Sequence, residues 1–254
     1  MEFENRVAVV TGAGMGMGEA TAIAFAREGA AIAVVDINPE AGKATVDEIQ
    51  AGGGQATFIE ADVAIAADTQ RIATETVDAF GGIDILVNNA GIQHYGSVIE
   101  TTEEEWDRVL GVNLKSIFLC SKYCIPEIQK RGGGAVVNVA SVQGLASQDR
   151  VAPYSATKGG AISLTRNMAI DFASDNIRVN CVCPGAIDTP LLRDAVALAP
   201  DPEQMVQQWA NSHLFKRLGR PEEVAQVILF LASKRASLVT GAAYVVDGGL
   251  TVQL

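Results

Sequence analysis

Short, near-continuous apolar runs rich in β-branched residues alternate with longer, alanine-rich amphipathic stretches along almost the whole chain. The runs fall at residues 6–10, 31–35, 56–60, 83–87, 135–139, 177–182 and 242–246. An apolar run without polar alternation marks a strand covered on both faces, as in a parallel sheet. Between the runs, helical spacing predicts helices at about residues 19–28, 39–50, 67–80, from 153 onward and 220–232, several of them stopped by glycine. Residues 103–131 read as two consecutive helices broken near Gly111. This strict alternation predicts an α/β fold: a doubly wound parallel sheet of about seven strands with helices on both faces. From 186 to about 215 the period is lost and proline recurs at 190, 200 and 202. Long irregular segments of this kind are often lids or binding loops, and a substrate-binding lid is expected here. Without repeats, low-complexity runs or linkers, residues 1–254 read as one domain.

The first strand runs straight into Thr11-Gly12-Ala13-Gly14-Met15-Gly16-Met17-Gly18, a helix follows, and the second strand ends on Asp36. Strand, glycine loop, helix, strand and acid within some thirty residues make a βαβ unit of the Rossmann type, built to hold a dinucleotide. The G-x-G-x-x-G spacing itself fails, because Met17 stands where its third glycine would be. The physics survives: glycines let the backbone turn sharply and approach a pyrophosphate resting on a helix N-terminus. Asp36 is placed to accept hydrogen bonds from the adenosine ribose hydroxyls, and a 2′-phosphate there would meet a carboxylate. Ile37 and Asn38 are uncharged and the loop offers Ala13 and Met15 instead of Arg or Lys, so NAD is expected over NADP.

Composition adds exclusions. The chain is 48% hydrophobic, enough for a large core, and no apolar run approaches the roughly 20 residues needed to cross a bilayer. Its acidic, polar start does not read as a signal peptide, so a cytoplasmic protein is expected. A net charge of −11, with Lys130-Arg131 and Lys234-Arg235 as isolated basic pairs, speaks against nucleic acid. Cys120 and Cys124 would share a helix face and Cys181 and Cys183 a strand face; with only His94 and His213 available, buried reduced thiols are expected and no metal site.

The chemistry concentrates around Tyr154 and Lys158. Four residues apart on one helix face, they place an ammonium within reach of a phenol whose pKa is otherwise about 10, favouring its ionised form. A tyrosine tuned in that way exchanges a proton as an alcohol and a ketone interconvert. A surface helix produces the same spacing by accident, so the pair needs support. Ser141 at the end of the fifth strand lacks a G-x-S-x-G elbow, and neither histidine has a motif making it a partner base, which disfavours a hydrolase. Asn88-Asn89-Ala90-Gly91 after the fourth strand reads either as a structural turn or as the edge of a ligand crevice.

Taken together, Thr11-Gly12-xxx-Gly16-x-Gly18, Asn88-Asn89-Ala90-Gly91, Asn113, Ser141, Tyr154-xxx-Lys158 and Pro184-Gly185 resemble the short-chain dehydrogenases/reductases in order and approximate spacing, over residues 6–249. That resemblance implies Tyr154 as general acid/base, with Lys158 lowering its pKa and holding the nicotinamide ribose. Ser141 would hold the substrate oxygen, and Asn113 a water that relays the proton. The resemblance further implies cofactor contacts from Gly12, Gly14, Met15, Gly16, Met17, Gly18, Asp36 and Ile37, and adenine contacts from Asp62 and Val63. Asn89, Ala90, Gly91, Pro184, Gly185, Ile187 and Thr189 would frame the nicotinamide half. Family members are commonly tetramers built through the helices near 103–131 and 153–175 and the C-terminal strand, so a homotetramer is expected, with the apolar tail from Leu250 buried in it.

Substrate evidence is thinner. Gln93, Gln143 and Gln148 near the expected mouth suggest a polar, sugar-like or cyclic alcohol or ketone, although glutamines are ordinary loop residues too. The alternatives are an NADPH-type 3-oxoacyl thioester reductase, which Asp36 and the missing basic patch disfavour, and a catalytically silent NAD-binding protein.

Overall fold

The computed structural model describes residues 1–197 and 199–253. Seven parallel strands form one sheet: β1 (Val7–Thr11), β2 (Ala31–Asp36), β3 (Gln55–Glu60), β4 (Ile85–Asn88), β5 (Gly134–Val139), β6 (Ile177–Pro184) and β7 (Ala243–Val246). Their order is β3-β2-β1-β4-β5-β6-β7. Helices α1 (Gly16–Arg27), α2 (Pro39–Ala51) and α9 (Pro221–Ala232) cover one face, and α3 (Ala66–Phe80), α5 (Ser116–Lys130) and α6 (Ala152–Asp171) cover the other. Strand side chains alternate between the two cores: Ala8 and Val10 join Phe25 and Ile228 on one side, while Val9 joins Ile72 and Ile128 on the other. Both faces are apolar because both are covered, which is why the strands carried no polar alternation.

Strand order reverses between β1 and β4, which pair side by side with Val10 opposite Val87. The crevice beyond the carboxyl ends of these two strands is where doubly wound sheets bind ligands. It brings the glycine loop after β1 against Asn88-Asn89-Ala90-Gly91 after β4.

Two segments differ from expectation. The 103–131 stretch is not broken at Gly111: α4 (Glu103–Leu110) passes through a π-helical turn (Gly111–Lys115) into α5. Gly111 keeps right-handed helical angles, φ −57° and ψ −52°, so glycine here widens the helix without ending it. Such turns are frequent at functional sites, and this one carries Asn113, 1% exposed. Residues 186–215 are not irregular either; they contain α7 (Pro190–Ala197) and α8 (Pro202–Ser212). Pro190 and Pro202 open these helices, and Asp201 caps α8 by accepting from the Gln204 amide at 3.0 Å. Proline at a first helical position costs no hydrogen bond, so two of the three prolines that signalled loop, Pro190 and Pro202, were start signals.

All four cysteines are free and buried. Burial pushes the Cys120 thiol up to about 12, which keeps it protonated and inert.

Candidate active site

The glycine loop is held by close approach. Gly12 and Gly16 adopt positive φ, +61° and +60°. The Asn89 side chain donates to the carbonyls of Thr11 (2.9 Å) and Gly12 (3.0 Å), while the amides of Asn89 and Ala90 donate to Thr11 Oγ1. Asn88 turns the other way, donating to Asn138 Oδ1 (2.8 Å) inside the sheet. The two asparagines therefore divide the readings left open by the sequence: Asn88 supports the sheet and Asn89 shapes the crevice.

Several features fit a bound dinucleotide. Helix α1 begins at Gly16 behind Met15, whose side chain supplies no cap, so the positive dipole end of its first turn is left for a negatively charged group. Asn89 Oδ1 is buried and has no hydrogen-bond donor among the described residues. Asp36, 8% exposed, accepts from the amides of Gly14 (2.8 Å) and Asn38 (2.9 Å), which fixes its carboxylate at the end of β2. Beyond it, Ile37 and Asp62 line a cavity of about 330 Å³ of the size and place for an adenine edge. Val63 differs from its neighbour: its side chain is buried in the core, leaving only its backbone to face a ligand.

At the other end of the crevice stand the chemistry-bearing residues. Ser141 follows β5 and accepts a hydrogen bond from the Gln143 amide at 3.1 Å. Tyr154 lies in the first turn of α6, with the Lys158 ammonium one turn on, 5.4 Å from the centre of its ring. The expected lowering of the phenol pKa is not what this arrangement gives. Burial pushes Tyr154 up to about 12, and the Ser141 hydroxyl only partly offsets it. Lys158, 3% exposed, is pulled down to about 8 by its own burial, and its ammonium donates to the Val139 carbonyl at 2.8 Å.

The Asn113 side chain bridges the Ile92 backbone and Thr157. Its Oδ1 accepts from the Ile92 amide (2.8 Å), while its Nδ2 donates to the Ile92 carbonyl (2.9 Å) and to Thr157 on α6 (3.4 Å). It thereby ties the segment after Gly91 to the helix of Tyr154 and Lys158. Both Asn113 Oδ1 and Lys158 Nζ face Gly91.

Ser141 and Tyr154 open onto a cleft of about 480 Å³. Gln93, Gln143, Gln148, Met17, Pro184, Gly185, Ile187 and Thr189 line it as well. Tyr95, with Leu191 and Leu192 of α7 and Trp209 of α8 from the 186–215 segment expected to cover the substrate, lines it too, while Leu250, Thr251 and Gln253 of the tail are lining residues that the sequence did not place there. Placing that tail at the cleft follows from Asp247, whose carboxylate accepts from the amides of Gly249 and Thr251 and from the Thr251 hydroxyl, bending the chain back. The Asp247-Gly248-Gly249 turn was the legible signal.

His213 ties the start of the 186–215 segment to the end of α8. The buried ring accepts from the Ala186 amide at Nε2 (3.3 Å), and Nδ1 lies 3.0 Å from the Trp209 carbonyl. An amide only donates, so the ring is neutral with its proton on Nδ1. His213→Asn keeps the donor to Trp209 but cannot reach Ala186. Faster amide exchange at Ala186 and along α8 is expected, with a loss of about 1–3 kcal/mol in stability. His213→Gln, which reaches the Nε2 position, should keep the protection; equal exchange in both variants would refute the link.

A larger cavity of about 600 Å³ opens at the opposite end of the strands, lined in part by Arg6, Arg131 and Arg178. Those cations are committed: Arg6 and Arg131 to the buried Asp84 at 2.8 and 3.3 Å, Arg178 to the carbonyls of Leu231, Ala232 and Ser233 at the end of α9. Among the described residues no cluster of His, Cys, Asp and Glu could hold a metal, and no helix is long and apolar enough to cross a membrane.

Known proteins resemble this chain over nearly its whole length. A family model described as enoyl-(acyl carrier protein) reductase matches residues 12–251. A Thermotoga maritima protein described as an uncharacterized oxidoreductase is 44% identical over 251 residues, covering 99% of both chains. A cyclohexanol dehydrogenase of an Acinetobacter species is 43% identical over 253 residues, covering 98% of this chain and 96% of its own. A crystal structure described as a short-chain dehydrogenase/reductase from Burkholderia xenovorans superposes with a TM-score of 0.96 at 36% identity, covering 100% of this chain and 99% of that one. Likeness of that extent leaves no segment of the scaffold unaccounted for: the chain belongs to the short-chain dehydrogenase/reductase family and is an oxidoreductase.

Proposed function

We propose that the protein is an NAD-dependent dehydrogenase that interconverts a secondary alcohol and its ketone. The observation that carries this is the carboxyl edge of one parallel sheet, which holds the Asp36 carboxylate at the end of β2 and the Ser141–Tyr154 cleft beyond β5, with the start of α1 between them. Gly12, Gly14, Met15, Gly16, Met17 and Gly18 would cradle the pyrophosphate, with Asp36, Ile37, Asp62 and Val63 around the adenosine. Asn89, Ala90, Gly91, Pro184, Gly185, Ile187 and Thr189 would frame the nicotinamide half, and Lys158 its ribose. When bound, the nicotinamide supplies the hydride acceptor or donor.

In oxidation, the Tyr154 phenolate takes the proton of the substrate hydroxyl while the carbinol carbon gives up its hydride. Ser141 donates to the same oxygen and stabilises its developing charge. In reduction, the Tyr154 phenol returns the proton. Asn113 acts by holding the segment after Gly91 against α6, so that Lys158 and Tyr154 keep their places.

NAD is favoured over NADP because the ribose end presents a fixed carboxylate. Arg71, the cation beside Ile37, is already bound to Asp68 (3.0 Å), Glu75 (3.3 Å) and the Glu60 carbonyl (2.7 Å). Asp36→Ala is expected to weaken NAD binding about tenfold and narrow the NAD/NADP preference by at least that factor, the scale of one charge-assisted hydrogen-bond pair. Measured kcat/KM ratios for the two cofactors check this, and an unchanged ratio refutes the ribose contact.

The glutamines and Tyr95, beside Leu191, Leu192 and Trp209, suit a cyclic or sugar-like alcohol with a polar edge and an apolar face. A panel of cyclic alcohols, sugars and hydroxy acids with NAD, followed by reduced-nicotinamide absorbance, tests the assignment. NAD binding without turnover of any of them would point to a silent dinucleotide-binding protein. Buried free thiols suit the cytoplasm. The exposed Phe118 and Ile170 on α5 and α6, with Tyr244 and Val245 on the edge strand β7, suit a homotetramer.

A further inference from the structure

The three cleft glutamines are not equivalent. Gln93 spends its amide on the neighbouring His94 carbonyl at 3.2 Å, and Gln148 is exposed. Gln143 Oε1 is buried and has no hydrogen-bond partner among the described residues. A buried acceptor without a donor is costly in the free protein, and a ligand that supplies the donor recovers that cost.

The position of this oxygen is fixed by its backbone. Gln143 sits in a single 3-10 turn, Val142–Gly144, whose first residue follows Ser141, and its amide donates to Ser141 Oγ at 3.1 Å. The same turn is pressed onto α6: a β-carbon at Gly144 would lie 2.7 Å from the backbone of Lys158. Gln143 therefore leaves the backbone directly beside the hydroxyl proposed to hold the reacting oxygen, on a turn with no room to shift. The Gln143 amide lies within one glutamine side chain's reach of that hydroxyl, so a group that meets it is carried near the reacting carbon.

We propose that Gln143 accepts a hydrogen bond from a second hydroxyl of the substrate, on the carbon next to the reacting carbinol, so that the enzyme prefers vicinal diols and α-hydroxy ketones to simple cyclic alcohols. This rests on the proposed oxidation of a secondary alcohol and names its substrate class. It also separates this cleft from one built for an unsubstituted ring, whose apolar edge would leave the Gln143 oxygen buried and unpaired.

The test compares cis- and trans-1,2-cyclohexanediol with cyclohexanol and 2-methoxycyclohexanol, each with NAD and with NADP. The better 1,2-diol isomer is expected to exceed cyclohexanol in kcat/KM by at least about tenfold, equivalent to about 1.4 kcal/mol. The methoxy compound keeps the bulk but cannot donate, and should fall to the cyclohexanol level. In Gln143→Met the ratio of diol to cyclohexanol, judged within that one protein, should approach unity. A ratio near unity in the parent enzyme, a methoxy compound as good as the diol, or an undiminished ratio in Gln143→Met overturns the inference while leaving secondary-alcohol oxidation in place. Because the methoxy comparison uses only the parent protein, it decides the matter even if Gln143→Met does not fold. Failure to transfer a hydride from any alcohol with either dinucleotide would instead overturn both the inference and the proposed function.

Discussion

Tyr154→Phe is expected to lower kcat in both directions by about 10³-fold, within the range a positioned general acid/base supplies, and to leave NAD affinity within about threefold. The substitution removes one atom, the phenol oxygen, and keeps the ring that lies against the Lys158 ammonium. Packing therefore changes little, and a loss of activity reports the proton transfer. Activity within tenfold of the parent would remove Tyr154 from the mechanism. The pH profile adds an independent check. With Tyr154 pushed up to about 12 by burial, the phenolate is the minor form at neutral pH and grows about tenfold per pH unit, so alcohol oxidation rises with pH. Lys158, pulled down to about 8, carries its stabilising charge below that pH and loses it above. The rise should therefore flatten from about pH 8, while ketone reduction, which needs the protonated phenol, should change little until the pH nears the raised phenol pKa. A positive charge bound beside the phenol moves the ascending limb to lower pH without changing these signs. An oxidation rate independent of pH between 6 and 8 would contradict the assignment.

How much of this was legible in the chain depends on what each signal measures. Apolar runs with no polar alternation report burial on both faces, and all seven became strands of one parallel sheet. The glycine loop and Asp36 were legible because backbone approach and a fixed acid need particular residues at particular spacings. Spacing alone misjudged Tyr154 and Lys158: it put them on one helix face, but their pKa values follow from burial, which a spacing does not report. The break expected at Gly111 and the loop expected at 186–215 failed for a shared reason. Glycine and proline were taken as stops, although glycine can sit in a π-turn and proline can open a helix. Gln143 could not be told from Gln93 and Gln148 in the sequence, since the difference lies in which amide already has a partner.

Gly18→Ala is expected to weaken NAD binding at least tenfold and to lower the melting temperature by several degrees, although alanine is the better helix former. Gly18 lies in the first turn of α1, where a β-carbon would sit 1.9 Å from the Gly12 carbonyl oxygen and 2.5 Å from Asn89 Nδ2. Neither neighbour is the free end of a flexible side chain. The carbonyl belongs to a glycine held at φ +61°, and it accepts from the same Asn89 nitrogen at 3.0 Å. Relief of the clash must therefore move the loop off Asn89 and change the cradle that α1 presents to the pyrophosphate. Overpacking of this kind costs about 1–3 kcal/mol, roughly 2–4 °C per kcal/mol in a chain of this size. Gly53→Ala supplies the contrast. Its φ is also positive, +81°, but a β-carbon there meets nothing within 4 Å, so it pays only for the left-handed backbone. Gly53→Ala should lose about 1–2 kcal/mol of stability and bind NAD like the parent. Titration of both variants with NAD, alongside thermal unfolding, separates the two effects: equal affinities would show that the approach of Gly18 to Gly12 is packing alone and does not shape the cofactor site.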